Sequence, residues 1–314
     1  MAGRLEGSPM DLHALYGVEF NATVVGGISQ YSLNLGTEVV GEARSGEPYP
    51  RNMTVVGQKP TASFTSLMVA AALGQCGSLG SSIADLAAGL MFYCYKYADG
   101  GARASGSAHR KLTMTEGLIY PTTLTAAHGS LAEIAYNVMP KYDGSNDPVA
   151  ITDSSAVPTA STDAERFALG GVTVGGKTVD QITNLSIDFG VEAEAYGVQG
   201  AVWPTIAVIK SIKPVITITT NDIADWAAAA IPTAGLACTQ ANTIMYLRKY
   251  AAGGIGFLSD VTAEHIKLQA AGVATIDQAV NAQGSDPNET TIRIDVKYDG
   301  SNAPILVNAA SAIT

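Results

Sequence analysis

The sequence predicts a mainly β protein with short α-helices, built as two tandem copies of one small β-sandwich or open-barrel domain, each with one flanking helix. Three observations lead there. The hexapeptide KYDGSN occupies residues 141–146 and again residues 297–302. Sliding the chain along itself by that separation, 297 − 141 = 156, also matches His109 with His265, Lys111 with Lys267 and Glu133 with Glu289. Further upstream the separation is 187 − 33 = 154, and residues 28–66 run without a gap against 182–220. Identities there include Ser32/Ser186, Gly36/Gly190, Glu38/Glu192, Pro50/Pro204 and Lys59-Pro60/Lys213-Pro214, with Tyr49 opposite Trp203. An internal repeat fixes the architecture before any single element is assigned. Finally, apolar and polar residues alternate over many short segments, the period of a half-buried strand.

These features divide the chain into an N-terminal arm (1–17), a first domain (18–158), a linker (159–165) and a second domain (166–314). Along the first domain, Tyr31, Leu33 and Leu35 alternate with Ser32, Asn34 and Gly36, a strand whose counterpart carries Leu185, Ile187 and Phe189. Residues 40–50 and 195–204 have no periodicity and read as long connections, the kind that is usually functional. The next strand, through Met53 and Val55 to Phe64, holds Pro60, as its twin holds Pro214; a proline inside both argues for a bulge or an edge. A short helix follows in each copy. In the first, Ser66 leads it and Gly74 stops it; in the second, Asn221 or Asp222 caps it and Pro232 stops it. Residues 82–90 offer a further turn or two of helix. Residues 91–97 and 244–250 are aromatic-rich strands. Segments 112–120, 131–138, 266–273 and 291–296 supply more strands, and Gly175-Gly176 reads as a hairpin turn. Asp143-Gly144 and Asp299-Gly300 are hairpin-turn signals closing each copy.

A formal charge of −10 and a pI near 4.8 deny the chain the basic footprint of a nucleic-acid grip. They leave room for a protein that lets DNA pass. The three cysteines, Cys76, Cys94 and Cys238, have no paired spacing and read as small buried hydrophobes. No apolar run suits a signal peptide or a membrane span, so synthesis in the cytoplasm and no membrane partner are expected. His109 and His265 share a repeat position but lack further ligands at metal spacing, and read as structural. The DGSND run resembles a calcium loop only faintly, since Ala303 replaces Asp147 in the second copy. Glu192 and Glu194 share a strand face without forming an acid–base set. No catalytic residue, cofactor or metal site is expected.

With its residues laid out in this way, the chain resembles the tail tube proteins of long-tailed bacteriophages. The segments ISQYSLNLGTEVV, GEPYP and VVGQKPTASFTSL are similar to that family's strand, loop, and strand with following helix, and the second copy fits equally well. The resemblance implies a virion structural protein. In that family six β-sandwich domains form a ring with a β-barrel wall, and rings stack into a tube through which DNA leaves the capsid. Carried over, two domains per chain favour three chains in a pseudo-hexameric ring, with six chains and an outer decoration as the alternative. Implied partners are the chain itself, tail terminator and baseplate proteins, and DNA crossing the lumen without specific binding. The stacking loops would present Glu42, Arg44, Glu47, Tyr49 and Pro50, and Tyr196, Gln199, Trp203 and Pro204, with Tyr49 and Trp203 as aromatic anchors. Glu38, Glu192 and Glu194 are expected to face the lumen. A baseplate hub or adaptor ring and the tube of a phage-like injection machine share the same domain. A tandem-sandwich adhesin or carbohydrate-binding module is the remaining alternative.

Overall fold

The computed structural model describes residues 13–20, 22–43, 45–46, 48–85, 89–97, 104, 106, 108–158, 165–198, 200–221, 235–281 and 289–314. The described part of the first half runs β1 (His13–Phe20), β2 (Thr23–Val25), β3 (Ile28–Asn34), β4 (Thr37–Ala43), β5 (Pro50–Gln58), β6 (Thr61–Ser66), α1 (Val69–Cys76), β7 (Ser81–Ser82), β8 (Leu90–Lys96), β9 (His109–Met114), β10 (Gly117–Ala127), β11 (Glu133–Pro140) and β12 (Ala150–Ser155). The second runs β13 (Phe167–Val174), β14 (Lys177–Val179), β15 (Ile182–Asp188), β16 (Val191–Tyr196), β17 (Ile206–Ile212), β18 (Val215–Thr220), β19 (Leu236–Cys238), β20 (Ile244–Lys249), β21 (His265–Ala270), β22 (Gly272–Asn281), β23 (Glu289–Val296) and β24 (Ile305–Ser311). The fold is mainly β and sandwich-like, with antiparallel pairing throughout.

Strand order is the same in both halves. One outer sheet is β12-β9-β8-β1-β2 and the other β24-β21-β20-β13-β14. A single ten-stranded sheet spans both halves in the order β19-β22-β23-β18-β15-β10-β11-β6-β3, with β7 beside β10. Registers match residue for residue. Tyr31 faces Phe64 where Leu185 faces Ile218, and the irregularity between Ile28 and Gln30 returns between Ile182 and Asn184.

Alternation builds the core. On β6, Ala62, Phe64 and Ser66 are buried, as are Ile216, Ile218 and Thr220 on β18. Phe92 of the outer sheet packs on Tyr31 (4.7 Å) and Phe64 (5.7 Å), and Phe64 stacks on Tyr136 (5.3 Å). Buried residues of both halves form one continuous cluster. Helix α1 adds Val69, Ala72, Leu73 and Cys76 to it.

Several expectations need correction. Residues 13–17, assigned to an arm, belong to β1 and pair with β8, so the ladder of the outer sheet starts ahead of the expected domain boundary. The expected connections are shorter than 40–50 and 195–204: residues 40–43 and Pro50 belong to β4 and β5, and Ala195 and Tyr196 to β16, so each connection is the turn region of a two-stranded hairpin, β4–β5 or β16–β17. Helix α1 runs past Gly74 and stops at Gly77, whose N–H reaches the Leu73 carbonyl. Residues 82–90 contain one 3-10 turn, Ile83–Asp85, and a strand begins at Leu90. The segment 112–120 splits into β9 and β10. The helix expected from residues 221 or 222 to 232 falls almost wholly outside the described residues. Gly175-Gly176 does make a two-residue hairpin, both residues at positive φ, with Val174 opposite Lys177.

Pro60 and Pro214 mark neither a bulge nor an edge inside a strand. Each ends the segment between a hairpin and the central sheet. Opposite them sit Gly36 and Gly190, at φ +57° and +56°, where the Lys59 and Lys213 amides donate to the glycine carbonyls at 3.1 and 3.0 Å. A Cβ there would lie 2.2 Å from the Lys59 carbonyl oxygen and 2.0 Å from that of Lys213. The crossing admits only glycine, and the hairpin leaves the sheet at that point.

The structural reading of the paired histidines holds. His109 and His265 are buried, and their Nδ1 atoms accept the backbone N–H of Lys96 (3.1 Å) and Lys249 (3.0 Å), where the outer-sheet strands end.

Gly36→Ala or Gly190→Ala is expected to cost more than about 2 kcal/mol, from left-handed strain plus the backbone clash. Gly46→Ala, at φ +87° but facing open space, should cost only about 1 kcal/mol. Urea midpoints measure the difference, and equal losses at the two kinds of site would remove the clash argument.

Candidate functional site

The place where the two half-sheets meet brings together Trp203 and Pro204, two of the residues singled out by sequence, beside the loop of Asp143 and Gly144. Strand β10 is longer than its neighbours require. Its first residues pair with β7, leaving a free stretch that β15 fills, with Thr123 opposite Asp188, Leu124 opposite Ile187 and Ala127 opposite Asn184. The Phe189 amide then donates to the Thr122 carbonyl at 2.9 Å, and the Phe189 ring is fully buried.

The β16–β17 hairpin packs on β10 and sends its turn onto the first half. There the Trp203 indole N–H donates to Gln58 Oε1 (2.7 Å), and its ring stacks on Tyr142 at 5.4 Å. Two backbone bonds fasten the turn: the Gln58 amide to the Val202 carbonyl and the Tyr142 amide to the Pro204 carbonyl, both 2.8 Å. Trp203 and Pro204, expected to reach a neighbouring ring, therefore hold the chain's own halves together. The equivalent Tyr49 is 76% exposed, and Pro50, Glu38 and Glu42 are exposed beside it. Arg44, Glu47 and Gln199 lie outside the described residues.

Two of the three expected lumen carboxylates, Glu192 and Glu194, are engaged locally. Glu194 accepts the Tyr196 hydroxyl (2.6 Å) and pairs with Lys210, whose ammonium also lies over the Tyr196 ring at 5.7 Å. Glu192 accepts Ser211 Oγ at 2.8 Å. What the central sheet turns away from its core is a different, small and polar face. It includes Ser32 and Ser63, hydrogen-bonded at 2.8 Å, Thr65, Asn137, Ser186 and Thr217, and the pair Arg293–Asp295 at 2.9 Å. The alternation of these strands carried that signal.

Asp143-Gly144 and Asp299-Gly300 are not hairpin turns. Strands β11 and β12 belong to different sheets, as do β23 and β24, so each KYDGSN loop crosses the sandwich. The aspartate holds the loop. Asp143 Oδ1 accepts the amides of Ser145 (2.7 Å) and Asn146 (2.6 Å), and Asp299 Oδ1 those of Ser301 (2.8 Å) and Asn302 (2.7 Å). Oxygens spent on amides are poor calcium ligands, and no group of metal-holding side chains occurs among the described residues. Bonds from the Asn146 side chain and backbone and from Ser145 hold the Asp143 carboxyl well below its usual range. Those from the Asn302 amide and side chain and from Ser301 push Asp299 down to about 2.

A cavity of about 690 Å³ opens beside Lys249. Burial opposes the Lys249 charge, but hydrogen bonds from the ammonium to Glu264 (2.9 Å) and Glu165 (3.0 Å) outweigh it and raise its pKa. A lysine so held is a poor nucleophile. Cys76 and Cys238 are buried and Cys94 half-buried, and burial pushes the Cys76 thiol up to about 12. No helix among the described residues is long and apolar enough to cross a membrane. No family model matches the chain, and no curated protein sequence matches it either.

Sequence reasoning singled out Trp203 but missed its partners Gln58 and Tyr142, although Tyr142 lies inside the repeated hexapeptide. Trp203→Ala is expected to cost about 2 kcal/mol, less than a fully buried tryptophan because the ring is half-exposed. A double-mutant cycle with Tyr142→Ala should return a coupling of about 1 kcal/mol. Both Asp pKa values are depressed by folding, so the loops' contribution is complete above about pH 4 and fades as pH falls towards 2. Carboxyl shifts followed by NMR should show Asp299 titrating near pH 2; a midpoint near 4 would deny it the observed bonds.

Proposed function

We propose that this chain is a structural subunit, a duplicated sandwich that assembles into stacked rings of three chains forming a virion tail tube that conducts DNA. One observation carries the reading. The central sheet continues through both halves without a break, yet among the described residues has no strand partner at either end, at β3 and along the far part of β22. An unpaired edge of that kind invites strand addition. A heterologous joint closes into a ring when the rotation per unit allows it. With two equivalent half-sheets per chain, three chains supply six.

The face such a ring would turn inward is short, polar and mildly acidic, with Glu133, Asp188, Glu289 and Asp295 against the single cation Arg293 among the described residues. A wall of that chemistry offers phosphates neither a cationic trap nor an apolar one, and the overall charge of −10 disfavours retention of DNA. Tail terminator and baseplate proteins are the partners proposed for the ends of the stack, and the virion tail is the proposed location.

Negative-stain microscopy over a concentration series is expected to show rings, then tubes, with three chains per layer and a continuous central channel. A monomer at every concentration would overturn the proposal, and compact closed particles without a channel would overturn the tube.

A further inference from the structure

The internal junction has a vacant counterpart at the two ends of the chain. Register maps it residue by residue. Strand β15 matches β3, so Asp188 corresponds to Asn34 and Phe189 to Leu35. Strand β10 matches β22: Thr123 faces Ala135 where Gln278 faces Thr291, and both strands carry the same irregularity one step earlier. As β7 covers only the start of β10, β19 covers only residues 272–274 of β22, and among the described residues no strand pairs with the rest of that edge. Trp203 corresponds to Tyr49, Tyr142 to Tyr298 and Gln58 to Ile212.

At the internal junction these positions are covered, and at the ends they are bare. Phe189 is fully buried while Leu35 is 43% exposed, and Tyr298 is 63% exposed. The β16–β17 hairpin rests on β10, whereas among the described elements β4–β5 packs mainly on itself. Beside Tyr298 and Ile212 an open groove of about 570 Å³, also lined by Leu79 and Pro304, occupies the place that the Trp203 turn fills at the internal junction. The chemistry of the two sites covaries. Trp203 needs an acceptor for its indole N–H and has Gln58; Tyr49 has no such N–H, and opposite its site stands apolar Ile212.

We infer that the two ends join head to tail: β3 and the turn at 48–50 of one copy dock on β22, Ile212 and Tyr298 of the next, in the register β15 and the Trp203 turn already use on β10, Gln58 and Tyr142. Asn34 then pairs with Gln278, Tyr49 stacks on Tyr298, and the Leu35 amide reaches the Asp277 carbonyl. The occupant is a second copy of this chain, because the shape that fills the equivalent groove is supplied by the chain itself. The inference rests on the assembling-subunit reading and adds the contact that the reading lacks.

Complementation of two blocked ends tests it. Tyr49→Asp spoils one end and Tyr298→Asp the other; both side chains are exposed, so each variant should keep the wild-type circular dichroism spectrum. Each alone is expected to remain at 32.3 kDa in light scattering where the wild type assembles. Mixed in equal amounts they should give a capped pair of twice that mass and nothing larger. Variants that assemble as the wild type does, or a mixture that yields no pair, would overturn the interface and leave ring formation standing by another route. A wild type that never assembles would overturn both. As a second measurement, Asn34→Cys combined with Gln278→Cys should cross-link at least tenfold faster on oxidation than Asn34→Cys combined with Asn281→Cys. Equal rates would refute the register.

Discussion

The pairing of β15 with β10 is the constraint on which the rest depends. Neither half-sheet satisfies its own backbone: β15 would be an edge in one half, and the far part of β10 an edge in the other. Joining them removes both edges and buries Phe189, Leu185 and Ile187 in a core continuous with the first half. The outer sheet of the second half bonds to the first through single hydrogen bonds, from the Ala132 amide to the Phe167 carbonyl and from Ser78 Oγ to the Ile305 carbonyl, both 2.8 Å. Among the described residues the central sheet alone couples the two halves through a ladder. The Trp203 turn acts as a clasp on that seam, since its bonds to Gln58 and Tyr142 draw the projecting hairpin back over β10.

Much of this was legible in the sequence. Matched offsets pointed to two halves, which do share a strand order, and alternation marked β3, β6, β11, β15, β18 and β23. Lys59-Pro60 and Lys213-Pro214 flagged a discontinuity, although its nature needed Gly36 and Gly190 on the facing strand to be explained. The paired histidines were read as structural, and each serves a backbone amide at a strand end. The misreadings have common causes. A DG dipeptide signals a reversal, but a carboxylate capping two amides can build a crossing loop from the same letters. Residues 40–43 looked irregular because both faces of the β4–β5 hairpin are largely exposed, which erases the hydrophobic period.

The candidate site was half visible. Tyr49 and Trp203 stood out as matched aromatics in matched loops, but sequence could not tell that one is engaged and the other bare. That difference arises from position in the chain: the second hairpin has a first half beneath it, and the first hairpin has nothing before it among the described residues. The polar face of the central sheet went unnoticed for a related reason. Ser, Thr and Asn on a strand read as solvent exposure until ten strands place them side by side, with few formal charges spread over a wide surface.

The unequal chemistry of the covered and bare positions has a consequence for the life of the free subunit. A seam inside one polypeptide closes as the chain folds, so it can carry the stickier residues, Phe189 and Trp203, at little risk. On the head-to-tail joint proposed above, the margins that wait for a second molecule carry Leu35 and Tyr49 instead, each smaller than its twin. Such margins would keep newly made chains dissolved until they meet, and would hold down the tendency to clump early.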